Sequence, residues 1–307
     1  MAEGNPANVV TFRGHRAQVY TVAWNADGRR LASGSADRTI RLWNLSRADD
    51  NRYSAELRGH NGSVHQVAWD PAQPDRLASV STDKNLMFWD TRVGQSTMTI
   101  PTQKENLALS WCPRGQTVAT ITQDYKCYFF DVKANQMLPS ANLEDDVNDV
   151  QWNARGDLLF VATGRGTVNI YTYPELECIH TLHAHTSSCF VLELDPTGQY
   201  LGVGSADALV SLWSLTDLAC VRTFNKHDSP VHHVSFSMDG RYIASAAEDK
   251  KIDISDVETE ETVHAVPSTT NARSIAWHPT KPYLAFTGEE GMGYGAKGVV
   301  KLFKMES

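Results

Sequence analysis

Two sets of residues recur at fixed spacing and carry side chains that could support hydrolytic chemistry. The first set is His15, Ser33, Asp37 and Trp43, with successive offsets of 18, 4 and 6 residues. The second is His60, Ser79, Asp83 and Trp89, with offsets of 19, 4 and 6. A serine activated by a histidine that an aspartate orients is the machinery of serine hydrolases. These tetrads therefore raise two hypotheses, a hydrolase triad and a hydrogen-bonded structural unit.

The repetition of the tetrad favours the structural hypothesis, because a catalytic triad occurs once per active site. In a structural unit the Asp orients the His, the His bonds the Ser, and the Ser bonds the indole N–H. Each such bond contributes about 1 kcal/mol net and satisfies polar groups that packing would otherwise bury. We therefore expect no catalytic residue here, and no cofactor or metal site.

The tetrads lie within a repeat that fills the chain. One strand pattern ends successively at Trp24, Trp69, Trp111, Trp152, Leu194, Phe236 and Trp277, with separations of 45, 42, 41, 42, 42 and 41 residues. After it come a Gly-containing turn, a strand of small residues such as LASGS, an Asp turn, and an alternating strand such as TIRLW. Short period-2 runs bounded by turn residues indicate antiparallel strands. A period in the forties with four strands per unit is typical of an all-β, seven-bladed propeller.

The spacing of Gly-His and Trp-Asp resembles the WD40 repeat over the whole chain. The predicted repeats are 14–50, 59–95, 101–136, 143–176, 183–218, 225–260 and 268–304, in a single domain spanning 1–307. The tetrad pattern decays after blade two. Blade five has Val203 at the Ser position, blade six has Ser255 at the Trp position, and blades three, four and seven keep little of it. We expect these later blades to depend on apolar packing alone.

The seventh unit supplies only three strands, and a spare strand lies at the other end of the chain. Asn8 to Phe12 precedes the first Gly-His pair, and the last strand covers Val299 to Phe303. Pairing of these two segments would close the ring and remove two exposed strand edges, which are aggregation hazards. The sequence therefore predicts closure by the N-terminal strand.

Composition restricts the partners. The 28 Lys and Arg residues against 36 Asp and Glu give a net charge of −8, and the longest basic runs are pairs. Tight nucleic-acid binding draws most of its affinity from phosphate neutralisation by a basic surface. We therefore expect RNA contact to be indirect. No apolar run approaches the roughly 18 residues that cross a membrane, and the five cysteines, without a CxxC pair, suggest reduced thiols.

Two further motifs fail a closer inspection. The segment Gly288 to Gly298 is rich in glycine, but its lysine lies between Ala296 and Gly298 rather than between Gly and Ser or Thr, and it joins two strands. It therefore fails as a nucleotide phosphate loop and is predicted to be a hairpin loop. The acidic groups 144–146 and 258–261 lack the ligand spacing of a calcium loop.

A partner would be expected at the channel mouth. By resemblance to peptide-binding propellers, the residue four before each aligned strand end lies there. The seven candidate rim residues are Tyr20, His65, Leu107, Asn148, Phe190, His232 and Arg273. Aromatic residues and Arg are enriched at interface hot spots, although the same positions could be a simple solvent-facing rim.

Longer segments resemble one WD40 family in particular, subunit 3 of the THO complex. The resemblance is carried by 180–224, by blade six at 243–259 with Ile-Asp-Ile where Trp-Asp is usual, by AWHPTKPYLAF at 276–286, by the final VVKLF, and by the linker 163–176. It implies a nuclear, non-catalytic scaffold subunit of the THO/TREX assembly. That assembly supports messenger RNA packaging, processing and export. The implied partners are the large helical THO subunits and, through them, an RNA helicase and export adaptors.

Two other functions are compatible with the sequence. Trp89-Asp90-Thr91-Arg92 matches the WDxR box of substrate receptors of cullin ubiquitin ligases. A propeller that reads histone tails or other peptides is the second alternative.

Overall fold

The computed structural model describes residues 8–45, 54–143, 146–268, 270–291 and 296–305. Its strands form seven antiparallel sheets. Strand β1 (Val9–Arg13) precedes blade one, which comprises β2 (Val19–Trp24), β3 (Arg30–Ser35), β4 (Thr39–Asn44) and β5 (Ser54–Arg58). Blade two comprises β6 (Val64–Trp69), β7 (Arg76–Ser81), β8 (Asn85–Asp90) and β9 (Gln95–Pro101). Blade three comprises β10 (Asn106–Trp111), β11 (Thr117–Thr122), β12 (Lys126–Asp131) and the short β13 (Gln136–Met137) and β14 (Ala141–Asn142).

The remaining blades follow the same order. Blade four comprises β15 (Val147–Trp152), β16 (Leu158–Thr163), β17 (Thr167–Thr172) and β18 (Cys178–His183). Blade five comprises β19 (Cys189–Leu194), β20 (Tyr200–Ser205), β21 (Val210–Ser214) and β22 (Ala219–Phe224). Blade six comprises β23 (Val231–Phe236), β24 (Tyr242–Ala247), β25 (Lys251–Asp256) and β26 (Thr262–Pro267). Blade seven comprises β27 (Ile275–Trp277), β28 (Tyr283–Glu290) and β29 (Lys297–Lys304), with β1 as its outer strand.

The predicted seven-bladed fold and its closure are confirmed. Strand β1 pairs antiparallel with β29, with Val9 opposite Phe303 and Arg13 opposite Val299. The outer strands of the other blades lie in, or extend into, the intervals between the predicted repeats, so those ranges hold mainly the three inner strands of each blade. The segment 163–176, predicted as a linker, contains β17 and belongs to the sheet of blade four.

The core lies between blades rather than within them. Seven clusters of buried apolar residues occur in the described parts of the chain, and each draws its members from two neighbouring blades. The small residues of the second strands explain this arrangement. A Cβ on Gly34 would lie 2.7 Å from a methyl carbon of Val64 in the next blade, so this close approach requires glycine.

Four of the five tryptophans that mark the repeat also join neighbouring blades through a hydrogen bond. The indole N–H of Trp24 donates to the Ala276 carbonyl, and that of Trp69 to the Ala23 carbonyl, at 3.1 and 2.9 Å. Trp111 and Trp152 make the same bond to the preceding blade at 3.0 and 3.3 Å. Leu194 and Phe236 occupy this position in blades five and six and cannot donate. This class of inter-blade bond is therefore absent at those two junctions. It is also absent in blade seven, where the buried Trp277 indole N–H has no hydrogen-bond partner among the described residues.

Candidate protein-interaction site

The tetrad of blade one is a directed chain of hydrogen bonds. The Trp43 Nε1–H donates to Ser33 Oγ at 2.9 Å, and Ser33 Oγ lies 2.8 Å from His15 Nε2. His15 Nδ1 lies 2.9 Å from Asp37 Oδ2. Because an ionised carboxylate only accepts, the proton of His15 lies on Nδ1. In the neutral imidazole Nε2 then carries no proton and accepts the Ser33 hydroxyl.

The aspartate is held ionised by its donors. Burial alone would raise the pKa of Asp37, but hydrogen bonds from His15, the Thr39 hydroxyl and the Arg16 N–H keep that pKa well below its usual range. Blade two repeats the chain, with His60 2.8 Å from Asp83 and 2.7 Å from Ser79, and with the Trp89 N–H 2.8 Å from the same hydroxyl. Burial lowers the pKa of His60.

The burial of both serine hydroxyls argues against a catalytic role for these two tetrads. Ser33 and Ser79 are both 0% exposed, and each hydroxyl already bonds an imidazole and an indole. A nucleophile must reach a substrate carbonyl. Neither serine can do so in this packing.

Blade five retains the tetrad with a relocated serine, which corrects the prediction that this blade depends on apolar packing alone. Val203 lies opposite Ser211 on the adjacent strand. Ser211 Oγ lies 2.8 Å from His185 Nε2 and accepts the Trp213 N–H at 2.9 Å, and His185 Nδ1 lies 3.1 Å from Asp207. The hydroxyl has moved from one strand to its neighbour without loss of the bonds.

Blade six also keeps polar bonds, and the same prediction is wrong for it. His227 lies 2.8 Å from Asp249 and 2.9 Å from Ser245. Opposite Ser245 is Asp253, a buried carboxylate that accepts the Ser255 hydroxyl at 2.5 Å and the Thr262 hydroxyl at 2.9 Å. The side chain that replaces tryptophan therefore has its own acceptor.

Blades three and four differ in the side chains that occupy the position of the tetrad. In blade three, the Asn106 amide donates to Thr102 Oγ1 at 2.8 Å, and the Thr120 hydroxyl donates to the Ala108 carbonyl at 2.8 Å. In blade four, Leu143 and Val161 are buried in one apolar cluster, with Tyr171 packed against it. Opposite Val161 lies buried Asn169, whose side-chain oxygen accepts the Thr181 hydroxyl at 3.0 Å. The prediction of apolar packing alone is therefore wrong for blade three, and blade four combines an apolar cluster with this polar bond.

The seven candidate rim residues surround one opening. Tyr20, His65, Leu107, Asn148, Phe190, His232 and Arg273 all line a single cavity at the channel mouth. In six blades the register of the first strand pair shifts around the rim residue, for example between Val19 and Thr21 and between Cys189 and Val191. A bulged residue leaves the ladder and its side chain is re-aimed. The sequence placed these residues together, but the bulge that presents them has no period-2 signature.

The rim residues contact one another in two groups. Arg273 lies over the Tyr20 ring at 5.4 Å, and Tyr20 contacts the His65 ring at 5.1 Å between centroids. Phe190 stacks on His232 at 5.1 Å, and His232 lies 3.0 Å from Glu248. Burial, together with the charge of Arg273, lowers the pKa of His65, while Glu105 opposes the shift. The mouth therefore combines aromatic faces with charges of both signs.

Titratable groups also line the channel below the mouth. Asp149 accepts the Val150 N–H at 2.8 Å and the Leu192 N–H at 2.9 Å, and Glu193 and His233 share the same cavity. Burial raises the pKa of Asp149 to about 7. Burial and the neighbouring Asp149 raise the pKa of Glu193 to about 8, and burial lowers that of His233 to about 4. Sequence reasoning did not single out these residues.

The WDxR box contributes one exposed side chain. Arg92 donates to both carboxylate oxygens of Asp90, at 3.2 and 2.8 Å, and its side chain is 67% exposed. It lines a surface cleft with Asp75 and Pro74. The arginine is thus accessible and already engaged by the aspartate of its own box.

Other features predicted from sequence can be placed. Cys112, Cys127 and Cys189 are buried free thiols, whereas Cys178 and Cys220 are exposed. Residues 288–298 join β28 to β29, with 292–295 outside the described residues, as are 144 and 145 of the first acidic group. Within the described ranges, no group of three or more His, Cys, Asp or Glu side chains is arranged to hold a metal. The described chain also contains no helix of membrane-spanning length and apolarity.

Comparisons of the sequence and of the structure with known proteins agree with one another. A family model described as the THOC3 beta-propeller domain matches residues 15–287. THO complex subunit 3 of Arabidopsis thaliana is 41% identical over 303 residues, which cover 96% of this chain and 95% of that protein. The WD repeat-containing protein AAC3 of Dictyostelium discoideum is 35% identical over 62% of this chain and 45% of its own length. The crystal structure of the Cps50 (Swd1) beta-propeller domain of Myceliophteria thermophila has a TM-score of 0.83 at 19% identity, covering 97% of this chain and 99% of that one, and it supports the fold alone.

Proposed function

The chain belongs to the THO complex subunit 3 family, and on that basis we propose that it is a non-catalytic scaffold subunit of the THO/TREX assembly in the nucleus. It supports the packaging, processing and export of messenger RNA by docking other proteins. The observation that carries this proposal is the 41% identity over 96% of the chain to THO complex subunit 3.

The surface chemistry supports docking by protein contacts. The rim offers Tyr20, Phe190 and Arg273, residue types that dominate interface hot spots. The buried hydroxyls of the first two tetrads offer no accessible nucleophile. The proposed direct partners are the large helical THO subunits, and an RNA helicase and export adaptors join through them.

Net charge argues for indirect RNA contact. The value of −8 opposes tight phosphate binding, because most of the affinity for nucleic-acid phosphates comes from Lys and Arg side chains. RNA association in the cell is accordingly proposed to pass through the partners.

Affinity purification of the tagged full chain tests the proposal. The expected stoichiometric partners are the large THO subunits. Recovery of a cullin adaptor instead would support the WDxR receptor, and selective binding of histone-tail peptides would support a peptide reader. Either result without THO subunits would refute the scaffold proposal.

A matched pair of variants tests the rim. Phe190→Ala removes one ring of the stacked Phe190–His232 pair, whereas Ile179→Ala truncates a 55% exposed residue on an outer strand. If the mouth is the docking surface, the first variant loses the THO partners at least tenfold and the second retains them. Equal retention would move the docking surface away from the channel mouth.

A further inference from the structure

Two carboxyl groups from neighbouring blades face the same channel. Asp149 lies on β15 and Glu193 on β19, and both line the cavity of about 290 Å³ inside the ring. The strand position of Glu193 is occupied in the other blades by neutral residues, namely Ala23, Ala68, Ser110, Gln151, Ser235 and Ala276. The acidic side chain is therefore peculiar to blade five and is not part of the repeat.

Neither carboxyl group has a cationic partner in the described chain. Asp149 accepts only backbone N–H groups, and Glu193 makes no hydrogen bond or ion pair among the described residues. No Lys or Arg lines this cavity. Arg273 stands at the mouth, but its guanidinium is engaged over the Tyr20 ring. An ionised carboxylate that is partly buried without a partner is unfavourable.

A third polar group in the channel is also unsatisfied. His233 Nδ1 is buried and has no hydrogen-bond partner in the described structure, while its Nε2 lies 3.4 Å from the Ser274 hydroxyl. The imidazole is neutral at physiological pH because burial lowers its pKa to about 4. It therefore cannot serve as the counter-ion of the two carboxyl groups. The channel thus holds two carboxyl groups without a cationic partner and one imidazole nitrogen without a hydrogen-bond partner among the described residues.

The mouth and the inner cavity are adjacent. Five residues line both of them, namely Thr21, Gln66, Asp149, Val191 and His233. Asn148 and Phe190 stand at the mouth immediately next in sequence to Asp149 and Val191. A side chain that enters past the Phe190 ring would meet an aromatic face first and a carboxylate next, and both attract a cation.

We propose that the central channel receives one basic side chain of a protein partner, which enters beside Phe190 and pairs with Asp149 and Glu193. Arginine fits better than lysine, because its guanidinium is weakly hydrated and bonds carboxylates with several N–H groups at once. A metal ion fits poorly, since no three-ligand group exists within the described ranges. This inference rests on the proposed docking function and specifies the chemistry it recognises.

The first test uses Glu193→Gln, with Glu175→Gln as a control. Glu175 is exposed in the turn between β17 and β18, so the control makes the same substitution outside the channel. A buried carboxylate that pairs only with a bound partner destabilises the chain when that partner is absent. We therefore expect Glu193→Gln to melt at or above the temperature of the control at pH 8. A melting temperature several degrees below the control would show a structural role and overturn the proposal.

The second test measures binding to the purified full chain. The probes are acetyl-arginine-methylamide and its uncharged isostere acetyl-citrulline-methylamide. Each probe is titrated into the chain, and its binding is detected by NMR. We expect the arginine probe to bind the wild-type chain saturably. The citrulline probe should bind that chain at least tenfold more weakly, and so should the arginine probe bind Glu193→Gln. Equal binding of both probes, or no binding of the arginine probe, would overturn the proposal.

Purification of the tagged variants separates the two claims. If the wild-type chain captures no THO subunits, the docking function fails. If the wild-type chain and Glu193→Gln capture them equally, docking stands and the channel receptor fails. Loss of capture in Glu193→Gln alone, with Glu175→Gln unaffected, supports both.

Discussion

The relocated serine of blade five gives the sharpest test of how the tetrads stabilise the ring. Ser211→Ala removes one hydroxyl that lies 2.8 Å from His185 Nε2 and accepts the Trp213 N–H at 2.9 Å. The His185 side chain is 3% exposed and Trp213 is 8% exposed, so water does not readily replace the lost partner. Two polar atoms are left unsatisfied in a buried site.

The expected magnitude follows from those two atoms. Leaving a buried donor or acceptor unpaired costs about 1–3 kcal/mol, and deletion of the small hydroxyl opens little space. We therefore expect Ser211→Ala to lower the free energy of unfolding by about 1–3 kcal/mol. Ser96→Ala, at an exposed serine, should change it by about 0.5 kcal/mol or less.

A rescue experiment makes the reasoning specific. Val203 lies directly opposite Ser211, at the position that holds Ser33 in blade one. Val203→Ser in the Ser211→Ala background returns the hydroxyl to that position and should recover most of the loss in urea denaturation. A single variant as stable as Ser96→Ala would refute the role assigned to Ser211. Failure of the rescue would refute the equivalence of the two positions.

Four further predictions concern the whole ring. Deletion of residues 1–13 removes the outer strand of blade seven and should lower the melting temperature by many degrees; a change of one or two degrees would contradict closure by β1. Asp37→Ala leaves buried His15 without its acceptor and should cost about 1–3 kcal/mol in a denaturant titration, without loss of partner binding. The purified chain should bind single-stranded RNA weakly, and sub-micromolar binding at about 150 mM salt with a steep salt dependence would reveal a basic face. The pKa of Glu193 is raised from 4.5 to about 8. Its contribution to the free energy of unfolding is therefore fully present below pH 4.5 and is lost as the pH rises to about 8. Facing Glu193 are Asp149, which acts in the same direction, and His233, which is already neutral above pH 6.5. Unfolding measured between pH 6.5 and 8.5 should show wild type losing up to about 1.4 kcal/mol per pH unit per group, and Glu193→Gln losing less.

The repeat made the architecture predictable because each blade restates one pattern of strands and turns. Seven restatements fix the number of blades, and the missing strand of the last one predicts the pairing of β1 with β29. The rim could be located for the same reason, since residues at equal positions in a ring meet at its axis. Periodicity predicts only the features that repeat from blade to blade.

Features that depart from the repeat were not predictable. Ser211 replaces the missing hydroxyl from the adjacent strand, and only the register of β20 with β21 shows that the two positions are equivalent. Asp149 and Glu193 lie 44 residues apart in the chain, and their shared channel follows from the curvature of the whole ring. The bulges at the rim have no signature in an apolar pattern of period two. Each of these features depends on geometry between strands.

The closing strand has a consequence for how the chain is made. Val9 pairs with Phe303, so β1 leaves the ribosome long before β29, the strand with which it pairs. At about 5–20 residues per second, β1 waits about 15 to 60 s for its partner, while the blades between them form from local hairpins.

During that interval the nascent chain exposes an apolar strand, VVTFR, without its ladder partner. The edge of an unfinished blade seven on a second nascent copy would accept the same strand, because the pairing is identical between chains and within one. On a polysome, where copies are held close together, exchange of β1 between neighbours competes with closure of each ring. Synthesis is therefore a stage at which pairing of β1 with β29 of a second copy would produce swapped dimers.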